Sequence, residues 1–94
     1  MSNQTFNICI PRMNVETSTN YIKTIIHKSK IGEIINYKEL VWKNDPTMKR
    51  ILMTIKLNTT HENHVIWRHT LLLGDYINIV HNFPKMWRLC IAKN

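Results

Sequence analysis

Ninety-four residues make one domain and leave no room for a second core. Thirteen Lys and Arg against six Asp and Glu give a net charge of +7, which favours polyanions: nucleic acid first, then an acidic protein, then an anionic membrane. With 44% apolar residues, two cysteines and no apolar run approaching a membrane span, the chain is neither a disordered segment, a disulfide scaffold nor a transmembrane protein. No signal-peptide pattern is present, so the expected setting is soluble and intracellular.

Residues 1–5 are polar, an expected flexible N-terminus. In FNICIPRM, Phe6, Ile8 and Ile10 alternate with Asn7 and Cys9, which predicts a strand ended by Pro11. Cys9 reads as a small buried or half-buried residue of that run. The period then changes. Ile22, Ile25, Ile26 and Ser29 share a helical face, while Lys23, His27, Lys28 and Lys30 point elsewhere. Thr17 or Ser18 can cap this helix over about 18–30, with Gly32 closing it.

EIINYKELVWK reads as a second strand, and Asp45-Pro46 as a turn. MKRILMTIKL follows as a third strand, with Ile51, Met53, Ile55 and Leu57 on one side and Arg50, Leu52, Thr54 and Lys56 on the other. A second helix occupies TTHENHVIWRHTLLLG. Thr59 and Glu62 suit a capping box, Val65, Ile66, His69, Leu72 and Leu73 form the apolar stripe, and Gly74 stops it. DYINIV is the fourth strand with Ile77 and Ile79 inward, and residues 82–94 remain as a basic, aromatic C-terminal tail.

The order β-α-β-β-α-β predicts an α+β, ferredoxin-like domain: two helices on one face of a four-stranded antiparallel sheet of order 4-1-3-2. Over residues 6–81 this topology and length resemble the RNA-recognition-motif domain. Ile8-Cys9-Ile10 stands where the family's strand-1 motif has an outward aromatic. Arg50 and Leu52 stand where its strand-3 motif has stacking rings. The resemblance implies the fold without base stacking. Cys9–Arg12, Lys49–Arg50 and the segment Phe83-Pro84-Lys85-Met86-Trp87-Arg88 are also similar to short proteins of giant nucleocytoplasmic large DNA viruses of the mimivirus kind. That similarity implies a viral protein of the host cytoplasm or virion.

Catalysis needs convergent groups, and the acids are scattered. Glu33 and Glu39 lie near the second strand without a partner, and Cys9 and His81 have unfavourable face parity. His61 and His64 are three apart, HENH is not HExxH, and no third ligand stands out, so neither a metal nor a cofactor is expected. The expected function is non-catalytic nucleic-acid binding, RNA ahead of DNA. Arg12, Lys49, Arg50, Thr54 and Lys56 on or beside the sheet face, with Lys85 and Arg88 of the tail, are the binding candidates. Without stacking, affinity would be electrostatic, weakly specific and salt-sensitive. The alternative is a protein-interaction module of a viral assembly, docking through the sheet or through Phe83, Met86 and Trp87. Membrane contact is not expected, and the chain reads as a monomer or a weak homodimer paired at an edge strand.

Overall fold

Alternating branched aliphatics build the strands, and a turn at Phe83-Pro84 adds one strand that the sequence reading lacks. A computed structural model describes residues 5–92. In chain order it contains β1 (Thr5–Asn14), α1 (Thr19–Ser29), β2 (Gly32–Val41), β3 (Met48–Leu57), α2 (His64–Leu72), β4 (Tyr76–Asn82) and β5 (Lys85–Ile91). The strands form one antiparallel sheet of order β2-β3-β1-β5-β4.

This five-stranded sheet corrects the expected four-stranded ferredoxin-like arrangement of order 4-1-3-2. The β2-β3-β1 portion matches, but β5 takes the place beside β1 and β4 is the outer edge. The cause lies in residues 82–94, expected to be a tail. Trp87, Leu89 and Ile91 alternate with period two, and the turn lets Trp87 and Leu89 face Ile79 and Ile77 of β4 while Ile91 faces Ile8 of β1. Leu89 and Trp87 thereby join the core. Of the expected flexible N-terminus, only Thr5 lies among the described residues, and it opens β1.

The core is one layer between the sheet and the helices. Ile8, Ile10, Ile51, Ile55 and Leu89 are fully covered, with Ile22 and Ile26 of α1 and Leu71 of α2 above them. Burying each such side chain contributes about 1.5–3 kcal/mol. Among the described residues, no helix lies on the opposite face of the sheet.

Local devices differ from expectation in four places. Pro11 does not end β1: an irregularity between Ile10 and Met13 absorbs the residue without a donor and returns Met13 to the core. Ser18 caps α1 by accepting from the Tyr21 amide (3.1 Å), but the left-handed C-cap is Lys30 (φ 60°) rather than Gly32. Gly32 is needed for another reason. A Cβ there would strike the Lys56 backbone carbonyl on the paired strand. The Thr59–Glu62 capping box does not form, since α2 starts after Asn63 and has no side-chain cap.

The fourth difference concerns the buried side of α2. Val65, Ile66, Leu72 and Leu73 are exposed, Leu73 by 69%. Leu71 is buried and Trp67 packs against the core instead. Residues 64, 67 and 71 form a second possible helical stripe, and that stripe meets β4 and β5.

Candidate nucleic-acid interface

Strand parity decides what the open face presents. With Ile51, Met53 and Ile55 in the core, Arg50, Leu52, Thr54 and Lys56 of β3 point away from the helices. Register extends the face across neighbouring strands. Glu33, Asn36, Lys38 and Leu40 of β2 stand opposite Lys56, Thr54, Leu52 and Arg50. Asn7 and Cys9 of β1 stand opposite Thr54 and Leu52. Beyond them come Cys90, Arg88 and Met86 of β5, opposite Tyr76, Asn78 and Val80 of β4. One row crosses all five strands: Lys38, Leu52, Cys9, Cys90, Tyr76.

The face therefore carries four cations, Lys38, Arg50, Lys56 and Arg88, against one acid, Glu33, among the described residues. Two guanidiniums are held by rings. Arg88 lies 4.7 Å from the Tyr76 centroid, and Arg50 lies 5.5 Å from that of Trp42, whose Nε1 donates to the Pro11 carbonyl (2.8 Å). Thr54 Oγ1 donates to Asn7 Oδ1 (2.7 Å), which orients two polar groups at the centre of the face. A shallow groove of about 690 Å³ runs between Asn7, Asn36, Lys38, Arg50, Leu52 and Thr54.

Arg12 sits at the β1 irregularity and forms an exposed pair with Asp45 (3.2 Å). The Asp45 carboxyl is held below its ordinary range, chiefly by the Thr47 hydroxyl that donates to it. Lys85 is exposed beside the β4–β5 turn, away from the sheet centre.

Lys49 is not on this face. It shares parity with Ile51 and is only 4% exposed. Its Nζ donates to Glu39 Oε1 (2.7 Å) and to the Thr17 carbonyl (2.6 Å). Glu39 also accepts from Tyr37 (2.6 Å) and Thr19 (2.7 Å). Partial burial alone would raise the Glu39 carboxyl. Hydrogen bonds from Lys49, Tyr37 and Thr19 outweigh it and hold the group at about 2. The Tyr37 phenol is pushed up, first by burial and then by the carboxylate it donates to.

The aromatic candidates divide. Trp87 is 7% exposed, stacked on His81 (4.3 Å) and edge-on to Tyr21 (6.0 Å), so it is core. Phe83 is 85% exposed at the turn, and Met86 is half exposed on the open face. His81 is bound on the helix side, where the Tyr21 hydroxyl donates to its carbonyl (2.9 Å), while Cys9 pairs with Cys90 on the open face. His61 and Trp67 pack at 4.5 Å, and no cluster of three or more His, Cys, Asp or Glu among the described residues could hold a metal.

Asn36, Lys38 and Tyr76 of this face are absent from the candidate residues above. Lys38 reaches it only because β2 carries an extra residue between Ile34 and Asn36, which resets its parity. Tyr76 is legible in principle as the position before the inward Ile77, but only the β5 strand makes it part of a surface. A second basic feature adjoins Lys56. Lys23, His27, Lys28 and Lys30, from α1 and its cap, rim a cleft of about 910 Å³ floored by Gly32 and Leu57.

No family model, curated protein or solved structure significantly matches the chain. No helix among the described residues is long and apolar enough to cross a membrane.

Proposed function

We propose that the protein binds single-stranded nucleic acid, RNA ahead of DNA, across the open sheet face and without catalysis. The observation that carries this reading is the four-to-one excess of cations over acids, among the described residues, on a face that none of their helices covers. Lys38, Arg50, Lys56 and Arg88 take phosphates, while Thr54, Asn7 and Asn36 offer hydrogen bonds to sugar or base edges. Tyr76 and Trp42 are the rings beside this face among the described residues, and both already hold a guanidinium, so stacking contributes little and affinity is mainly ionic. The cleft beside Lys56 continues the positive path around the end of β3. The test is binding of a labelled oligoribonucleotide to the intact chain at low salt, compared with Arg50→Glu and Arg88→Glu. Equal binding by the wild type and both variants would refute the assignment of the face.

A second reading has its own support: a protein-docking module. Val65, Ile66, Leu72 and Leu73 leave an apolar stripe of α2 in solvent, and Phe83 is exposed at the β4–β5 turn. Trp87, the expected anchor of such docking, is enclosed in the core and is no part of this surface. Protein docking through α2 would be insensitive to salt and lost on Leu73→Lys, whereas nucleic-acid binding would be unaffected by that change.

A further inference from the structure

Cys9 and Cys90 are free thiols lying directly opposite each other on β1 and β5, with Sγ atoms 3.9 Å apart. The Ala92 amide donates to the Asn7 carbonyl (2.9 Å), which makes that facing pair hydrogen-bonded. Two residues along, Cys9 and Cys90 occupy the next position of the same kind, where Cα atoms stand about 5.5 Å apart. A disulfide spans Cα separations of about 4.4–6.8 Å with Cβ atoms about 3.5–4.5 Å apart, closer than a hydrogen-bonded pair usually holds them, so closure draws β1 and β5 together locally while keeping their register. Both thiols point to the open face, at the centre of the row from Lys38 to Tyr76.

We propose that Cys9 and Cys90 form a reversible oxidation site, closing to an intrachain disulfide across β1 and β5 when the protein meets a peroxide. The two thiols differ in access. Cys90 is half-buried and Cys9 is buried between Cys90 and Leu52, so the oxidant meets Cys90 first. Burial, and then Cys90, push the Cys9 thiol up against the pull of Arg50, so Cys9 is slower than Cys90 to meet peroxide. The Cys90 thiolate attacks one peroxide oxygen and the O–O bond breaks, which leaves a sulfenic acid on Cys90, and the departing hydroxide takes up the proton that the Cys90 thiol gave up and becomes the first water. The Cys9 sulfur then attacks the Cys90 sulfur. The S–O bond breaks, and hydroxide takes up the Cys9 proton and leaves as water. Two thiols and one peroxide become one disulfide and two waters.

The cross-link joins residues 81 apart and ties the first strand to the last. It removes freedom from the unfolded chain, which stabilises the fold.

The test uses the whole chain, treated with a slight excess of hydrogen peroxide, alkylated with iodoacetamide and weighed intact. The expected product is a monomer two hydrogens lighter than the reduced chain, unalkylated, and returned to two alkylatable thiols by dithiothreitol. Its melting temperature should rise on the order of 10 °C. Cys9→Ser and Cys90→Ser should each abolish the oxidised monomer and the rise. Two alkylated thiols after peroxide, disulfide-linked dimers in place of the monomer, or over-oxidised Cys90 beside an alkylated Cys9 would each overturn the proposal.

Discussion

Lys49 Nζ lies 2.7 Å from Glu39 Oε1 and 2.6 Å from the Thr17 carbonyl, which makes the buried lysine of β3 a brace joining β2, β3 and the segment entering α1. It neighbours Arg50 in sequence and serves an opposite purpose. Removing the ammonium leaves Glu39 with a lost partner in a partly dry site. Lys49→Ala should therefore destabilise the fold by about 2–3 kcal/mol, below the fully buried case because the Glu39 side chain is 25% exposed. Urea unfolding measures the loss. Arg50→Ala, on the open face, should cost under about 0.5–1 kcal/mol in the same assay.

Acid should weaken this brace. The Glu39 carboxyl titrates at about 2 in the folded protein against an ordinary 4.5. The unfolded chain therefore binds a proton that the folded one does not, and stability falls as pH drops from about 5 toward 2. The contribution present at neutral pH is on the order of 2–3 kcal/mol. Glu39→Gln should lower stability at pH 7 and flatten its dependence across that window, as followed by thermal melts at stepped pH. An unchanged slope in the variant would mean that other carboxylates carry the acid sensitivity.

The two glycines should respond to alanine for different reasons. At Gly32 the new Cβ meets the Lys56 carbonyl, backbone against backbone, so the β2–β3 pairing must shift. A cost of about 1–3 kcal/mol is expected. Gly74 has open space but sits at φ 80°, so Gly74→Ala should cost about 1 kcal/mol through backbone strain alone. Chemical denaturation of both variants separates the two.

Helix α2 offers a contrast between neighbours. Leu71 is buried and Leu72 and Leu73 are exposed. Leu71→Ala should destabilise by about 2–4 kcal/mol. Leu73→Lys should stay within about 0.5 kcal/mol of the wild type and improve solubility at high protein concentration. A large destabilisation by Leu73→Lys would show that the stripe is covered in the folded protein.

What the sequence discloses depends on how local each feature is. Ile8 and Ile10, the Ile51–Leu57 alternation and the Ile22–Ile26 stripe declare β1, β3 and α1 because period alone determines their inner faces. The same parity places Lys49 inside with Ile51, two positions away, yet basic character draws it to the surface in a reading by composition. The strand β5 is hidden because outward Met86 and Cys90 are apolar like inward Trp87 and Leu89, which blurs the alternation, and its partner β4 must be in place before Trp87 and Leu89 have anything to face. Lys38 is hidden by a single extra residue in β2, a register shift that pairing with β3 decides. For α2, two apolar stripes compete, and the wider one, Val65 to Leu73, loses to the one that meets β4 and β5.

The most direct measurement is the salt dependence of oligoribonucleotide binding by fluorescence anisotropy, for the wild type and Arg50→Glu. With about four phosphates neutralised by Lys38, Arg50, Lys56 and Arg88, log affinity should fall against log salt with a slope near −3, an approximately 50-fold loss between about 50 and 200 mM. Arg50→Glu should bind about 10-fold more weakly at low salt and with a slope shallower by about 1. No binding at low salt, or binding whose affinity ignores both the salt and the substitution, would contradict the sheet face as a nucleic-acid surface.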